Sequence, residues 1–396
     1  MLSAQHALVA TSVPSTRFDA AAGFAATPAE HPVQKSTRVP CEPLGLEDCQ
    51  HASVVLHHLI LIVDGPLVFM RGTPLAFTEA EAKLDQFESL LLQHGIAIPC
   101  GSKLEEIFLS IKKYLSLNRR EMVLPPTTDL RDEWVRMLGL VDLAYKVIGA
   151  NETKWFPKLV PHFKLLARAA DPSQNAPTDH ADQANHKLFE LLIGAASASF
   201  ADDLIVEPPD ANETKTPDVT ASWLGQRWGI ACKVLQSDKP ARYRDQIRKG
   251  ISQIDRCDVD RGLVLINVKN LIPFETFLPF GRKSQTEPYE IFEKDDWTEH
   301  IDAFRRALRS RVDAEHDDIV DAFRGSPIAG RTALVCHYAQ CMAWVRREGE
   351  ARMTPFVLLD PVFFSMFRVE RQTHRFLRQL TSALAWGSAQ HDALAS

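Results

Sequence analysis

The stretch PDVTASWLGQRWGIACKVL, residues 217–235, decides how this chain is read. Two runs rich in β-branched and aromatic residues meet at Gly225-Gln226. A two-residue connection with Gly first reads as a type II′ hairpin turn. In that register Leu224 faces Arg227, and Asp218 falls directly opposite Lys233. Side chains alternate across a strand, so residues that face each other project from the same side of the sheet. An acid and a lysine are thereby expected side by side. Cys232 shares the other face with Trp228 and Ile230 and is expected in the core.

The flanking sequence extends this hairpin into a longer pattern. Residues 181–196 read as a helix and 202–207 as a strand, with hairpin strands over 217–224 and 228–235. A helix over about 240–256 and the apolar strand GLVLINV, 262–268, follow. The order is α-β-β-β-α-β. A helix is expected around 296–311 and an amphipathic helix over about 370–385, with apolar runs at 332–345 and 355–366 between them.

This pattern resembles the PD-(D/E)xK nuclease superfamily over roughly residues 181–270. The carrying residues are Pro217-Asp218 on the first hairpin strand, Lys233 on the return strand and Glu190 in LFELL on the preceding helix. The resemblance implies an α+β chain: a helical N-terminal domain followed by a restriction-endonuclease-like αβββαβ domain. It implies a phosphodiester hydrolase, a Mg²⁺- or Mn²⁺-dependent endonuclease in restriction, repair or defence, with DNA as the expected substrate. Asp218, Glu190 and Lys233 would be catalytic. Asp218 and Glu190 would hold the metal, with Glu207 as a displaced third carboxylate.

One position departs from the pattern. Two residues before the lysine, where the family has an acid or sometimes Gln, stands Ala231. Mg²⁺ is a hard cation that binds carboxylate oxygens, so one ligand is missing from its usual place. The alternative is a nuclease-like domain that has lost cleavage and serves as a nucleic-acid-binding or protein-interaction module.

The helix after Lys233 carries an independent signal. Tyr243, Ile247, Ile251 and Ile254 form its apolar stripe, while Gln246, Lys249 and Gln253 share another face. Residues 233–256 contain seven Lys or Arg against three Asp, in a chain whose net charge is −6. Arg242, Gln246, Lys249 and Gln253 are the expected nucleic-acid contacts, since cations and amides on one face suit phosphate oxygens.

The N-terminal part reads differently. Residues 1–43, rich in Ala, Pro, Ser and Thr, read as a disordered tail. A helical domain is expected over 44–170. Thr78 with Glu79 and Glu81 starts one helix, which ends near Gly95, and Ser102 with Glu105 forms a capping box. Further helices are expected from Thr128 or Asp129 and over about 154–169. DPSQNAPTDH, 171–180, reads as a linker to the nuclease-like domain and its C-terminal extension, 181–396.

Composition bounds the function classes. At 45% hydrophobic and 24% charged, the chain has the makeup of a globular protein with a core. An acidic net charge excludes a histone-like binder, whose affinity comes from a large basic excess. Seven cysteines, an odd number without a CxxC pair, fit free thiols in a reducing compartment. The apolar run 54–69 contains His57, His58 and Asp64 and is shorter than the roughly 20 residues of a membrane span. Residues 1–10 lack the basic start and apolar run of a secretory signal, so a cytoplasmic location without membrane contact is expected. A homodimer or protein partner would use the helical domain.

Overall fold

A computed structural model describes residues 70–71, 77–118, 131–178, 182–210, 216–277, 296–347, 350–364 and 370–385. The expected tail, His57 and His58 lie outside them. All described residues belong to one compact unit spanning Leu59–Ser396.

A two-residue strand, β1 (Met70–Arg71), precedes the helices α1 (Phe77–Gln93), α2 (Lys103–Asn118), α3 (Arg131–Asn151) and α4 (Val160–Leu166). The Ser102 half of the capping box at α2 forms, with Glu105 N donating to Ser102 Oγ at 3.2 Å; the Glu105 carboxylate instead accepts from Gly101 N, one residue before the cap, at 2.6 Å. The single helix expected over 154–169 is a 3₁₀ turn, Phe156–Lys158, followed by the short α4. Pro157 and Pro161 each sit in a first turn, where a missing N–H costs nothing, and so restart the helix instead of extending it.

The expected α-β-β-β-α-β order follows as α5 (Gln183–Ala198), β2 (Asp203–Val206), β3 (Val219–Trp223), β4 (Gln226–Val234), α6 (Pro240–Ile254) and β5 (Arg261–Asn267). Then come α7 (Phe274–Phe277), α8 (Asp296–Asp313), α9 (His316–Arg324), α10 (Ala329–Thr332), β6 (Leu334–Arg347), β7 (Glu350–Phe363) and α11 (Arg371–Ala385). The strands form one mixed sheet in the order β1-β7-β6-β5-β4-β3-β2. β5 lies parallel to both β4 and β6, and the remaining pairs are antiparallel.

Helices cover both faces of this sheet, which is why β5 is apolar without alternation. Leu263 and Leu265 pack into the core shared with α3, α5 and α11, while Val264 and Ile266 pack into the core with α6, α8 and α9. The expected stripe of α6 is in that second core, with Tyr243, Ile247, Ile251 and Ile254 all buried. α6 lies very close to the sheet. A methyl group at Gly250 would stand 2.8 Å from Val264 and 3.4 Å from the Ala231 methyl.

The hairpin register differs from the expected one. The turn residues are Leu224 and Gly225, with φ of 49° and 73°, the left-handed pair of a type I′ turn. Trp223 pairs with Gln226, and Val219 with Ile230. Continued by one pair, this register sets Asp218 opposite Ala231 instead of Lys233. Leucine is disfavoured at positive φ, but Leu224 N donates to the Asp202 carboxylate at 3.1 Å, and β2 fixes the position of β3 from the other side.

The linker expected at 171–180 is buried over 171–176 instead of exposed. Asp171 accepts from Arg136 of α3 and from Ser173, and Gln174 Nε2 donates to the Asn185 carbonyl at 3.1 Å. Asn175 Nδ2 donates to the Val135 carbonyl at 2.7 Å. The Asp, Ser and Gln that read as a solvated linker are hydrogen-bonded in the interior, Asn175 is bonded through Nδ2 alone, and one core runs from α1 through α5.

Lys269 closes this strap. Fully buried, it donates to the Asn185 Oδ1 at 2.7 Å and the Ser173 carbonyl at 3.2 Å. Burial pulls its pKa down from 10.5 to about 7, against the attraction of Asp171 and Asp182. An unfolded lysine keeps its proton up to its ordinary pKa, so between these values the unfolded chain binds more protons and stability rises with pH. Lys269→Met is expected to flatten that rise, a change on the order of 4 kcal/mol between neutral and strongly alkaline pH. Urea unfolding at a series of pH values measures it; an unchanged slope in the variant contradicts the assignment.

Candidate active site

Asp218 stands one residue before β3, buried at 3% exposure. Its backbone carbonyl accepts from Glu207 N at 3.0 Å, which ties it to the end of β2. Its carboxylate turns toward β4. Oδ2 accepts from the Cys232 backbone N–H at 2.7 Å and from Lys233 Nζ at 3.2 Å. The expected acid–lysine pair therefore forms, although the two residues are not directly opposite. A slip of two residues is one full period of the pleat, so it leaves both on the same face.

Lys233 is held at two points, since Nζ also donates to the Cys232 carbonyl at 2.8 Å. Glu190 approaches from α5 and is buried. Its two oxygens lie 2.9 and 3.1 Å from Lys187 Nζ, one turn earlier on the same helix. The same ammonium is 4.0 Å from Asp218 Oδ1. Burial, and then the Asp218 carboxylate, push Glu190 well above the usual carboxylate range, against Lys187 and Lys233. Burial works against the Lys187 ammonium, but Glu190 and Asp218 outweigh it and hold its pKa above the ordinary lysine value.

Glu207 is at the margin of this cluster. Its Oε1 accepts from Thr216 Oγ1 at 2.7 Å, while Oε2 is buried without a hydrogen-bond partner. Burial raises its pKa, with a further push from Asp218.

No sequence pattern points to His162. It belongs to α4, in the region read as a separate helical domain, and is fully buried. Nε2 lies 3.9 Å from a Glu190 oxygen, and among the described residues neither ring nitrogen has a hydrogen-bond partner. Burial, then Lys187, lower its pKa to about 4, so the ring is neutral at neutral pH. Only the contact of α4 with α5 brings it to the site; no spacing in the sequence marks it.

A cleft of about 340 Å³ opens on the cluster, lined by Glu190 and Lys233 at its base. Arg242, Gln246 and Lys249 of α6 also line it, and so do Gln236 and His186. Gln236 Nε2 and His186 Nε2 are 2.7 Å apart. Gln253 departs from the expectation: it is buried, its Oε1 lacks a partner, and it lies away from the cleft. One turn beyond Gly250 the helix is pressed onto the sheet, so a residue on the same helical face meets protein instead of solvent.

The basic excess of α6 is only partly available. Arg244 pairs with Glu315 at 2.9 Å and Asp318 at 3.0 Å, and Arg248 pairs with Asp318 at 3.4 Å. Arg242 and Lys249 remain directed at the cleft. Lys249→Ala is expected to lower nucleic-acid affinity and reduce the slope of log K against log salt by about one, the loss of one phosphate contact. Arg248→Ala, whose charge is already paired, is expected to leave the slope unchanged. Fluorescence anisotropy across a salt series distinguishes the two; equal effects would count against the cleft as the binding surface.

Among the described residues, no three His, Cys, Asp or Glu side chains are gathered as a ready-made metal site. Two carboxylates, Glu190 and Asp218, do face one position, and that position is taken by the Lys187 ammonium. His162 Nε2, 3.9 Å from a Glu190 oxygen, borders them. The pair of carboxylates alone matches the way Mg²⁺ is commonly held, by one or two carboxylates with substrate phosphate and water completing its shell.

No protein-family model, no curated protein and no solved structure matches the chain. Among the described residues, no helix is long and apolar enough to cross a membrane.

Proposed function

We propose that this protein is a metal-dependent nuclease of the restriction-endonuclease-like, PD-(D/E)xK type, acting on nucleic acid and most readily on DNA. The observation that carries this reading is a cleft lined by Glu190 and Lys233 together with Arg242, Gln246 and Lys249, with the buried Asp218 paired to Lys233 behind it. Two buried carboxylates beside each other oppose folding, and such costly pairs concentrate where chemistry uses them. A basic wall beside them suits a phosphodiester.

In this reading Glu190 and Asp218 hold a divalent cation, Mg²⁺ or Mn²⁺. When bound, the cation polarises the phosphoryl oxygen and acidifies a water molecule. Lys233, fixed by Asp218 and the Cys232 carbonyl, offers its charge to the negative charge that develops on phosphorus-bound oxygen. Asp218 thus acts twice, on the cation and on the lysine. Arg242 and Lys249 bind the phosphate backbone, and Gln246 supplies a neutral donor and acceptor beside them.

The test is a cleavage assay with Mg²⁺ or Mn²⁺ on plasmid, single-stranded DNA and RNA. Asp218→Ala and Lys233→Ala serve as controls. Cleavage lost in both variants supports the reading, and cleavage surviving both refutes the site. A second reading has its own observation. Ala231, at the position of the family's second acid, is fully buried beneath α6. A domain that binds nucleic acid without cutting it is the outcome if salt-dependent binding is found with no cleavage under either metal.

A further inference from the structure

The proposed metal position already contains a positive charge. Lys187 Nζ lies 2.9 and 3.1 Å from the two Glu190 oxygens and 4.0 Å from Asp218 Oδ1. The other Asp218 oxygen is committed to Cys232 N and Lys233. The oxygens left for a cation are therefore the ones Lys187 neutralises. A divalent ion bonded to them at about 2.0–2.6 Å would lie within a few ångströms of the ammonium, and two cations that close repel strongly in a site shielded from water.

The two lysines of the site differ in how they are held. Lys233 is 11% exposed and bound at both the Asp218 carboxylate and a backbone carbonyl. Lys187 is 25% exposed, and among the described residues it hydrogen-bonds Glu190 alone. Its long apolar stem lets the ammonium move outward into water without stranding a buried charge. Lys233 is a fixture of the site, whereas Lys187 is exchangeable.

We propose that Lys187 is a built-in competitor for the divalent cation: it neutralises Glu190 and Asp218 in the metal-free protein and is displaced when the cation binds. This inference rests on the metal-dependent reading above. It makes Lys187 the residue that sets the cation concentration at which the site becomes competent. It also accounts for how the charges of two adjacent buried carboxylates are balanced within the fold.

The test is direct Mn²⁺ binding to the full-length protein, by calorimetry and by electron paramagnetic resonance of free Mn²⁺. Removing the competing charge in Lys187→Met is expected to tighten Mn²⁺ binding at least tenfold. The same change should enlarge the rise in melting temperature that Mn²⁺ produces. Lys187→Gln removes the charge but keeps a donor for Glu190, and provides the same measurement if the methionine variant does not fold. Lys187→Arg should bind like the parent, and Glu190→Gln combined with Lys187→Gln should lose the gain. Equal or weaker Mn²⁺ binding in both neutral variants overturns the role of Lys187 while leaving the metal reading in place. No Mn²⁺ binding by the parent or by either neutral variant overturns both.

Discussion

Asp218→Asn is expected to lower cleavage by about 10³-fold or more while the protein remains folded, because one carboxylate serves the metal through Oδ1 and the lysine through Oδ2. The fold should survive because the change is nearly isosteric. The asparagine carbonyl can still accept from Cys232 N, the bond that fixes this side chain at 2.7 Å. Only the charge is removed, and with it the 3.2 Å ion pair to Lys233. The measurement is the single-turnover cleavage rate with saturating Mn²⁺, alongside the far-ultraviolet circular dichroism of the variant. A folded variant retaining more than a tenth of the parental rate would exclude Asp218 from the chemistry.

Ala231→Glu is the substitution that would restore the family's pattern, and it is expected to damage this protein. The Ala231 methyl is fully buried against α6, in the same core as Ile247, Ile251 and Val264. Even a methyl on the facing Gly250 would be only 3.4 Å from it. A carboxylate there must be overpacked and left without a partner, each costing about 1–3 kcal/mol or more. A combined loss of about 4 kcal/mol is expected in urea unfolding, with no gain in cleavage. A variant of parental stability with faster cleavage would show that α6 yields readily and that a third carboxylate belongs at that position.

Local rules favour a turn at Gly225-Gln226, because a Gly-first pair suits a hairpin and leucine at positive φ does not. Long-range contacts chose otherwise, through Asp202 and the pairing of β2 with β3. The error was one full pleat period, so every inside–outside assignment on the hairpin survived it. Trp228, Ile230 and Cys232 are buried as expected. A slip of a single residue would have put Asp218 on the other face.

Other misreadings have a common cause. Residues 171–176 have the composition of a solvated linker, yet they are buried through hydrogen bonds to Arg136, Asn185 and Val135 from two helices. Composition records how polar a segment is, not whether other polar groups await it. Gln253 keeps the helical phase of Gln246 and Lys249, but how far along a helix the covering layer begins is a property of packing, not of phase.

The sequence alone determined the order of helices and strands through 181–270, the apolar stripe of α6 and the shared face of Asp218 and Lys233. Each of these rests on local periodicity, a property of the backbone that a linear pattern carries. Only the tertiary structure decided that Lys187 stands between Glu190 and Asp218 and that His162 of α4 borders them. It also decided that α6 closes over Ala231. Those facts depend on which helices meet and how closely, and helix contacts are set by the summed packing of two cores instead of by any one segment.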